Sequence, residues 1–260
     1  MIVKPKKHLG QHFLVDEDIA MRIVESLKPL PTCQAVIEIG AGTGVLTKYL
    51  VQNPDFQLYV AEIDMESIAF LKKNYPLLKP YLHSGDFLTL PIDTWIPPDI
   101  SPKLSIIGNF PYNISSQIFF KVLEHHDRVT EVVGMLQKEV AERLAAKVGS
   151  KECGILSVFL QVYYDIEYLF TVEPEVFNPP PKVRSAVIRL TRNTLEKLPC
   201  DEKQFKNVVK TAFNQRRKTL RNALKSLTAG KEMDTIPFLD LRAEQLTVQD
   251  FITLTQVLNP

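Results

Sequence analysis

Apolar and polar positions along the first two thirds of the chain alternate with two different periods, and the switches between them mark the elements. Asp16 stands at an N-cap position for a helix with Ile19, Ile23, Val24 and Leu27 on its apolar face, stopped by Pro29 and Pro31. The run AVIEIG at 35–40 predicts a buried strand, and GVLTKYLV behind it predicts a helix. QLYVAEID at 57–64 predicts a second strand, followed by a helix through Ile68 and Leu71. PYLHSGDF reads as a third, short strand and KLSIIGNF at 103–110 as a fourth. SSQIFFKVLEHH is the helix after it, and VTEVVGML a fifth strand. Strands alternating with helices predict an α/β fold with a mostly parallel sheet covered on both faces. Two β-rich runs, at 164–172 and 185–191, follow without a long crossover helix and predict an antiparallel edge hairpin. After Asn193 only helical spacing remains: Phe205, Val208, Val209, Ala212 and Phe213, then Leu220, Ala223, Leu224 and Leu227, then residues 238–258. The expected organisation is an α/β domain over 1–193 and a small all-α domain over 200–260.

Composition narrows the class. With 45% apolar and 23% charged residues, 260 residues can bury a full core. The cysteines Cys33, Cys153 and Cys200 lie far apart, which suits reduced thiols rather than a disulfide framework or a zinc site. No apolar run is long enough for a membrane span, and the first residues lack the apolar stretch of a signal peptide, so a cytoplasmic protein is expected. His125-His126 has no third ligand nearby and reads as a helix end, so no metal is expected. Glycine is scarce, ten residues against about 18 at average usage, yet three of them, Gly40, Gly42 and Gly44, fall in EIGAGTG.

That turn lies where the first strand of the sheet meets its helix, facing the crevice in which open α/β sheets bind ligands. It lacks the Lys-Ser/Thr of a phosphate-cradling loop. Its spacing is GxGxG, with Val45 where the dinucleotide fingerprint has its last glycine. Glu62 closes the second strand, where a carboxylate accepts from ribose hydroxyls. Asp86 is placed to accept from an adenine amino group, with Phe87 beside the ring. Together they describe an adenosine pocket that admits either NAD or S-adenosylmethionine.

Asn109-Phe110-Pro111-Tyr112 follows the fourth strand at the same end of the sheet. The exocyclic amine of adenine is a poor nucleophile, because its lone pair is delocalised into the ring. Acceptors for its two N–H bonds favour rehybridisation. The Asn109 side-chain oxygen supplies one and the Phe110 carbonyl the other, with Pro111 fixing the turn and Tyr112 stacking on the base. No strong general base is needed, since the product ammonium loses its proton readily.

At this point the sequence resembles the ribosomal RNA adenine dimethyltransferases, specifically their small-subunit branch. The resemblance covers KKHLGQHFL at 6–14, EIGAGTG, Glu62, GDFL at 85–88, NFPYNIS at 109–115, MLQKEVAERLAA at 135–146, FNPPPKVRSAV at 177–187 and FNQRRKTLRNAL at 213–224. It implies a Rossmann-like class I methyltransferase fold that uses S-adenosylmethionine. Gln11, His12 and Leu14 match the N-terminal segment that closes over the donor. Gly40 and its neighbours match contacts to the donor's methionine part, Glu62 to its ribose and Asp86 to its adenine. Asn109 to Tyr112 hold the target base, with Phe177 as a second stacking face. His12 stands where many members have Asn, Arg184 where members often carry Asp, and Phe110 where Leu is common.

Charge adds the substrate. The formal net charge is only +1. Eight of the 31 Lys/Arg lie in 203–225 and three in 1–13, with no acid in either segment, so the rest of the chain holds 20 bases against 30 acids. Arg216, Arg217, Lys218 and Arg221 are the densest group, and on a helix they cannot all share one face. A broad positive surface of this kind suits RNA phosphates. The expected function is methylation at N6 of two adjacent adenosines near the 3′ end of small-subunit (16S) ribosomal RNA. The partner would be that RNA within an assembling 30S particle, and the enzyme a monomer. Three alternatives stand beside it: a large-subunit adenine methyltransferase of the macrolide-resistance type, a non-catalytic ribosome assembly factor, and an NAD-dependent oxidoreductase.

Overall fold

The computed structural model of the chain describes residues 3–259; Met1, Ile2 and Pro260, included in the two expected domains, lie outside the described residues. A two-residue strand β1 (Phe13–Leu14) leads into α1 (Glu17–Glu25). The Asp16 carboxylate caps this helix by accepting from the Ile19 amide at 2.9 Å, as the sequence predicts. Alternation then proceeds through β2 (Cys33–Ile39), α2 (Thr47–Leu50), β3 (Gln57–Glu62), α3 (Met65–Asn74), β4 (Leu82–Ser84), α4 (Ile92–Trp95), β5 (Lys103–Asn109), α5 (Ser115–Glu124) and β6 (Val129–Gln137). α2 is a single turn rather than the eight-residue helix expected, because the glycine turn before it has left-handed φ at Gly40, Gly42 and Gly44. Next come α6 (Lys138–Ala145) and α7 (Ile155–Tyr163), which the strand–helix alternation did not anticipate. β7 (Tyr164–Val172), β8 (Phe177–Asn178) and β9 (Ser185–Arg192) complete the β structure. Among the described residues only helices follow: α8 (Glu202–Asn214), α9 (Leu220–Ala223), α10 (Lys225–Thr228) and α11 (Val248–Leu258), with short 3-10 turns between them.

The main sheet has the order β4-β3-β2-β5-β6-β9-β7. β3, β2, β5 and β6 run parallel with β4, and β9 returns antiparallel to β6. Because β2 has β3 on one side and β5 on the other, the connections diverge at its carboxyl end and open a crevice there. β2 and β6 are buried along almost their whole length, which is why they read as continuous apolar runs rather than alternating ones. A separate two-stranded sheet pairs β1 with β8, Leu14 opposite Phe177, and so ties the N-terminal segment to the FNPPPKV segment.

Contacts divide the chain into two units, and the division differs from the expected one. The first runs to Ala141 and resumes over Ile166–Arg192; the second takes Glu142–Asp165 together with the chain from Asn193 onward. The reading from sequence places 142–165 in the first domain because β-rich runs continue until about Asn193. Packing assigns it otherwise: Phe159 of α7 meets Phe205 of α8, ring centroids 6.3 Å apart, and α11 adds Phe251 against Phe213 at 6.0 Å. The apolar positions of α8 read from the sequence are all buried in this helical unit. Leu220 to Leu227 form two short helices, not one, with a break at Leu224.

Two features beneath the crevice yield predictions. The Phe110 ring is 1% exposed and lies over Gly134 of β6, where an added Cβ would come within 2.4 Å of its Cε2 atom. Gly134→Ala is therefore expected to lower stability by about 1–3 kcal/mol, measured by chemical denaturation, since the ring cannot retreat from a packed core. Glu38 is buried, accepts from Thr47 Oγ1 at 2.6 Å, and burial pushes its carboxyl up to about 8 from an ordinary 4.5. A raised carboxyl binds a proton in the folded state that the unfolded state has released, so its contribution to stability falls between about pH 4.5 and 8. Glu38→Gln should gain in melting temperature relative to the parent as pH rises from 5 to 8; a difference that stays constant with pH would refute this.

Candidate active site

The cleft at the carboxyl ends of β2 to β5 gathers residues from four loops and the N-terminal segment. Gln11, His12, Gly40, Gly42, Glu62, Asp86, Phe87 and Asn109 to Tyr112 all line it. Its walls are the turns after β2, β3, β4 and β5 together with the N-terminal segment, which is why residues scattered over a hundred positions meet.

Glu62 ends β3 and is 3% exposed. Its Oε2 accepts from the Gly42 amide at 2.8 Å, and its Oε1 accepts from the amides of Ile63 and Asp64 at 2.9 and 2.8 Å. Burial pushes this carboxyl upward, and the three backbone donors oppose that shift. A carboxylate offers about four lone-pair sites. Three are taken, so Oε2 is the oxygen with capacity left for a ligand hydroxyl. Gly42 needs its glycine twice over: φ is 55°, and a Cβ would sit 2.8 Å from the Phe13 ring.

Asp86 is half-buried and caps a 3-10 turn at Phe87–Thr89, its Oδ1 accepting from the Leu88 amide at 2.9 Å. Phe87 beside it is buried. Asn109 ends β5, and its Nδ2 donates to the His12 carbonyl at 2.9 Å. A carbonyl only accepts, so this contact sets the amide orientation and makes Oδ1 the acceptor offered to a ligand. The Phe110 amide donates to the Met135 carbonyl at 2.9 Å. Its ring is turned into the core against Phe119, at 5.8 Å between centroids. Only main-chain atoms of Phe110 are thus offered to a ligand.

His12 donates from Nδ1 to the Pro179 carbonyl at 2.8 Å, and its ring stacks on Tyr112 with centroids 5.5 Å apart and planes at 28°. The Tyr112 hydroxyl is 2.5 Å from Ser185 Oγ, and burial raises its pKa. One face of the expected stacking residue is therefore occupied by the N-terminal segment. Gln11 accepts from the Lys6 amide through Oε1 at 2.8 Å, which folds that segment on itself.

Three expected site residues lie elsewhere. Phe177 is 3% exposed and packs in the hydrophobic core with Val187, opposite Leu14 in the β1–β8 pair, so it presents no free ring to the cleft. Leu14 is buried in the same core. Gly44 turns toward Tyr75, whose ring would be 2.9 Å from an added Cβ. Conversely, Gly10, Ile63 and Asn113 line the cleft without having been singled out. Ile63 had a sequence signal in its position beside Glu62, while Gly10 and Asn113 are brought together only by the tertiary fold.

In the helical unit, Arg216, Arg217 and Lys218 sit in the turn between α8 and α9, not on a helix. Arg216 pairs through Nε with Glu244 at 2.9 Å and also bonds the Lys151 carbonyl. Arg221 pairs with Asp240 at 3.0 Å. Arg217 and Lys218 are exposed. Among the described residues no cluster of His, Cys, Asp or Glu could hold a metal ion, and no helix is long and apolar enough to cross a membrane.

The family model for ribosomal RNA adenine dimethylase matches residues 2–259. The ribosomal RNA small subunit methyltransferase A of Cytophaga hutchinsonii is 56% identical over 99% of this chain and 98% of its own. That of Parabacteroides distasonis is 54% identical over 98% and 94%. Among solved structures, a dimethyladenosine transferase from Plasmodium falciparum superposes with a TM-score of 0.75 at 25% identity, covering 94% of this chain and 96% of its own. The 23S rRNA methyltransferase ErmE has a TM-score of 0.69 at 23% identity over 95% and 100%, and shares the fold. A cleft built from a glycine turn, Glu62, Asp86 and an Asn109–Tyr112 turn, with those matches along nearly the whole chain, shows that the protein belongs to the ribosomal RNA adenine dimethylase family of S-adenosylmethionine-dependent methyltransferases.

Proposed function

We propose that the protein methylates N6 of two adjacent adenosines near the 3′ end of small-subunit ribosomal RNA, twice each, on an assembling 30S particle in the cytoplasm and as a monomer. The observation that carries the reading is the Asn109 amide. It is pinned through Nδ2 to the His12 carbonyl, with Oδ1 offered at a cleft that also holds Glu62 and Asp86.

The cleft suits the methyl donor. Gly42 holds the turn against the Phe13 ring, where a Cβ would collide, Glu62 keeps capacity on Oε2 for a ribose hydroxyl, and Asp86 has Oδ2 beyond its capping bond for the adenine amine. Bound S-adenosylmethionine supplies an electrophilic methyl group on a sulfonium sulfur. The chain's own residues supply position and hydrogen-bond acceptors. Asn109 Oδ1 and the Phe110 carbonyl accept the two N–H bonds of the target amine, which frees its lone pair to point at the methyl group. The monomethylated base keeps one N–H, so one acceptor serves the second transfer. Tyr112 offers a stacking face once the His12 ring moves off it or the base approaches from the other side. With Phe177 in the core, His12 and Tyr112 are the aromatic pair at the mouth.

The large-subunit alternative shares the pocket chemistry. Relatives such as those of Cytophaga hutchinsonii at 56% and Bacteroides fragilis at 50% identity are named for the small subunit, which favours that substrate. Incorporation of labelled methyl groups into undermethylated small subunits, with none into naked large-subunit RNA, is the expected result; no incorporation with active donor would overturn the proposal. Asn109→Ala should cut the methylation rate by about a hundredfold or more while the protein still unfolds cooperatively. For RNA, Arg217 and Lys218 are proposed as the phosphate contacts, and Arg216 and Arg221 contribute less because Glu244 and Asp240 neutralise them. Removing Arg217 and Lys218 together should lower the slope of log affinity against log salt by about two, and removing Arg216 and Arg221 by less.

A further inference from the structure

Lys121 stands on the buried face of α5 beside Ile118, Phe119 and Val122, and is only 8% exposed. Its Nζ donates to the Leu88 carbonyl at 2.9 Å and the Leu90 carbonyl at 2.6 Å. The same nitrogen lies 5.5 Å from the centre of the Phe87 ring. None of these contacts is a carboxylate, so the ammonium is satisfied by backbone oxygens and a π face. Burial pulls its pKa down, while the charges of Glu124 and Asp86 hold it up. A buried ammonium is costly unless its donors are used, and here every one of these contacts falls on the turn 87–90. That turn is the one that carries the adenine-reading edge of the cleft. The Leu88 peptide connects the two: its carbonyl receives Lys121 and its amide donates to Asp86 Oδ1 at 2.9 Å.

We propose that Lys121 is a positioning residue for the methyl donor, clamping the 87–90 turn so that Asp86 and Phe87 meet the adenine ring in one fixed geometry. The inference rests on the reading that Asp86 accepts from the adenine amine. Without the clamp, the turn keeps only short-range hydrogen bonds of its own: the Thr89 amide and hydroxyl to the Asp86 carbonyl and the Leu90 amide to the Phe87 carbonyl at 3.2 Å each, and the Leu88 amide to Asp86 Oδ1 at 2.9 Å. Asp86 would then lose its register toward the amine more than the glycine turn or Glu62 would lose theirs, because neither touches Lys121. The consequence is specific: loss of Lys121 weakens recognition of the amino group in particular, not only overall binding.

The test is calorimetric binding of S-adenosylhomocysteine and of its 6-deamino analogue to the full chain. The parent should prefer the aminated ligand by about tenfold, as expected for a hydrogen bond to a carboxylate. Lys121→Met should reduce that preference to about twofold, and Lys121→Arg should restore part of it because the guanidinium can still donate to both carbonyls. Should Lys121→Met fail to fold, Lys121→Gln serves in its place, and a lost preference there supports the inference equally. A preference retained in the Met or Gln variant overturns the inference alone. No preference in the parent overturns the adenine role of Asp86 and the inference with it.

Discussion

The amide of Gly42 reaches 2.8 Å to Glu62 Oε2, joining the turn after β2 to the last residue of β3, and the layout of the cleft depends on this bond. It exists because β2 lies at the point where the chain's crossovers diverge, so its following turn has open space in front of it. The carboxylate could not remain there without donors, since burial opposes its charge. Three backbone N–H groups meet it, and they also fix its orientation. A residue expected simply to grip a ribose is thus first a strut between two strand ends. Its ligand-binding capacity is what remains after the strut is built.

The same economy holds on the other wall. Asn109 is oriented by the His12 carbonyl, and His12 by the Pro179 carbonyl and the Tyr112 ring. The β1–β8 pair brings His12 and Pro179 together, although 167 residues separate them in sequence, as Leu14 and Phe177 lie opposite one another. Burial of Leu14 and Phe177 in the core anchors the N-terminal segment across the mouth of the cleft. The segment is therefore part of the site's construction as well as its cover. This also explains why Phe177 presents no stacking face: its apolar area holds the strand pair.

Charge behaves differently in space than along the chain. The segment 203–225 contains no acid, yet Glu244 and Asp240 from later in the chain fold back onto Arg216 and Arg221. Near the N-terminus Lys6 likewise meets Asp64, with Glu66 at 3.5 Å. Basic residues concentrated in sequence are partly neutralised in structure, and the exposed pair Arg217 and Lys218 stands out only after that pairing is seen.

Much was legible from the sequence for identifiable reasons. Continuous apolar runs located β2, β3, β5 and β6, because strands buried on both faces have no other way to be written; β4, only partly buried, was marked by its place in the alternation instead. The motifs at Gly40, Glu62, Asp86 and Asn109 converge because parallel strands all end at the same edge. These follow from local pattern and fold class alone. Tertiary structure decided the rest. The assignment of 142–165 to the helical unit depends on which apolar face Phe159 finds, and its sequence shows only that such a face exists. Phe177 reads, through the resemblance, as a stacking residue, and only the pairing of β1 with β8 places it in the core. Lys121 reads as a polar break in a helix face until its ammonium is seen against the carbonyls of Leu88 and Leu90. In each case the deciding contact joins residues far apart in the chain, and no local period encodes which distant surface a side chain will meet.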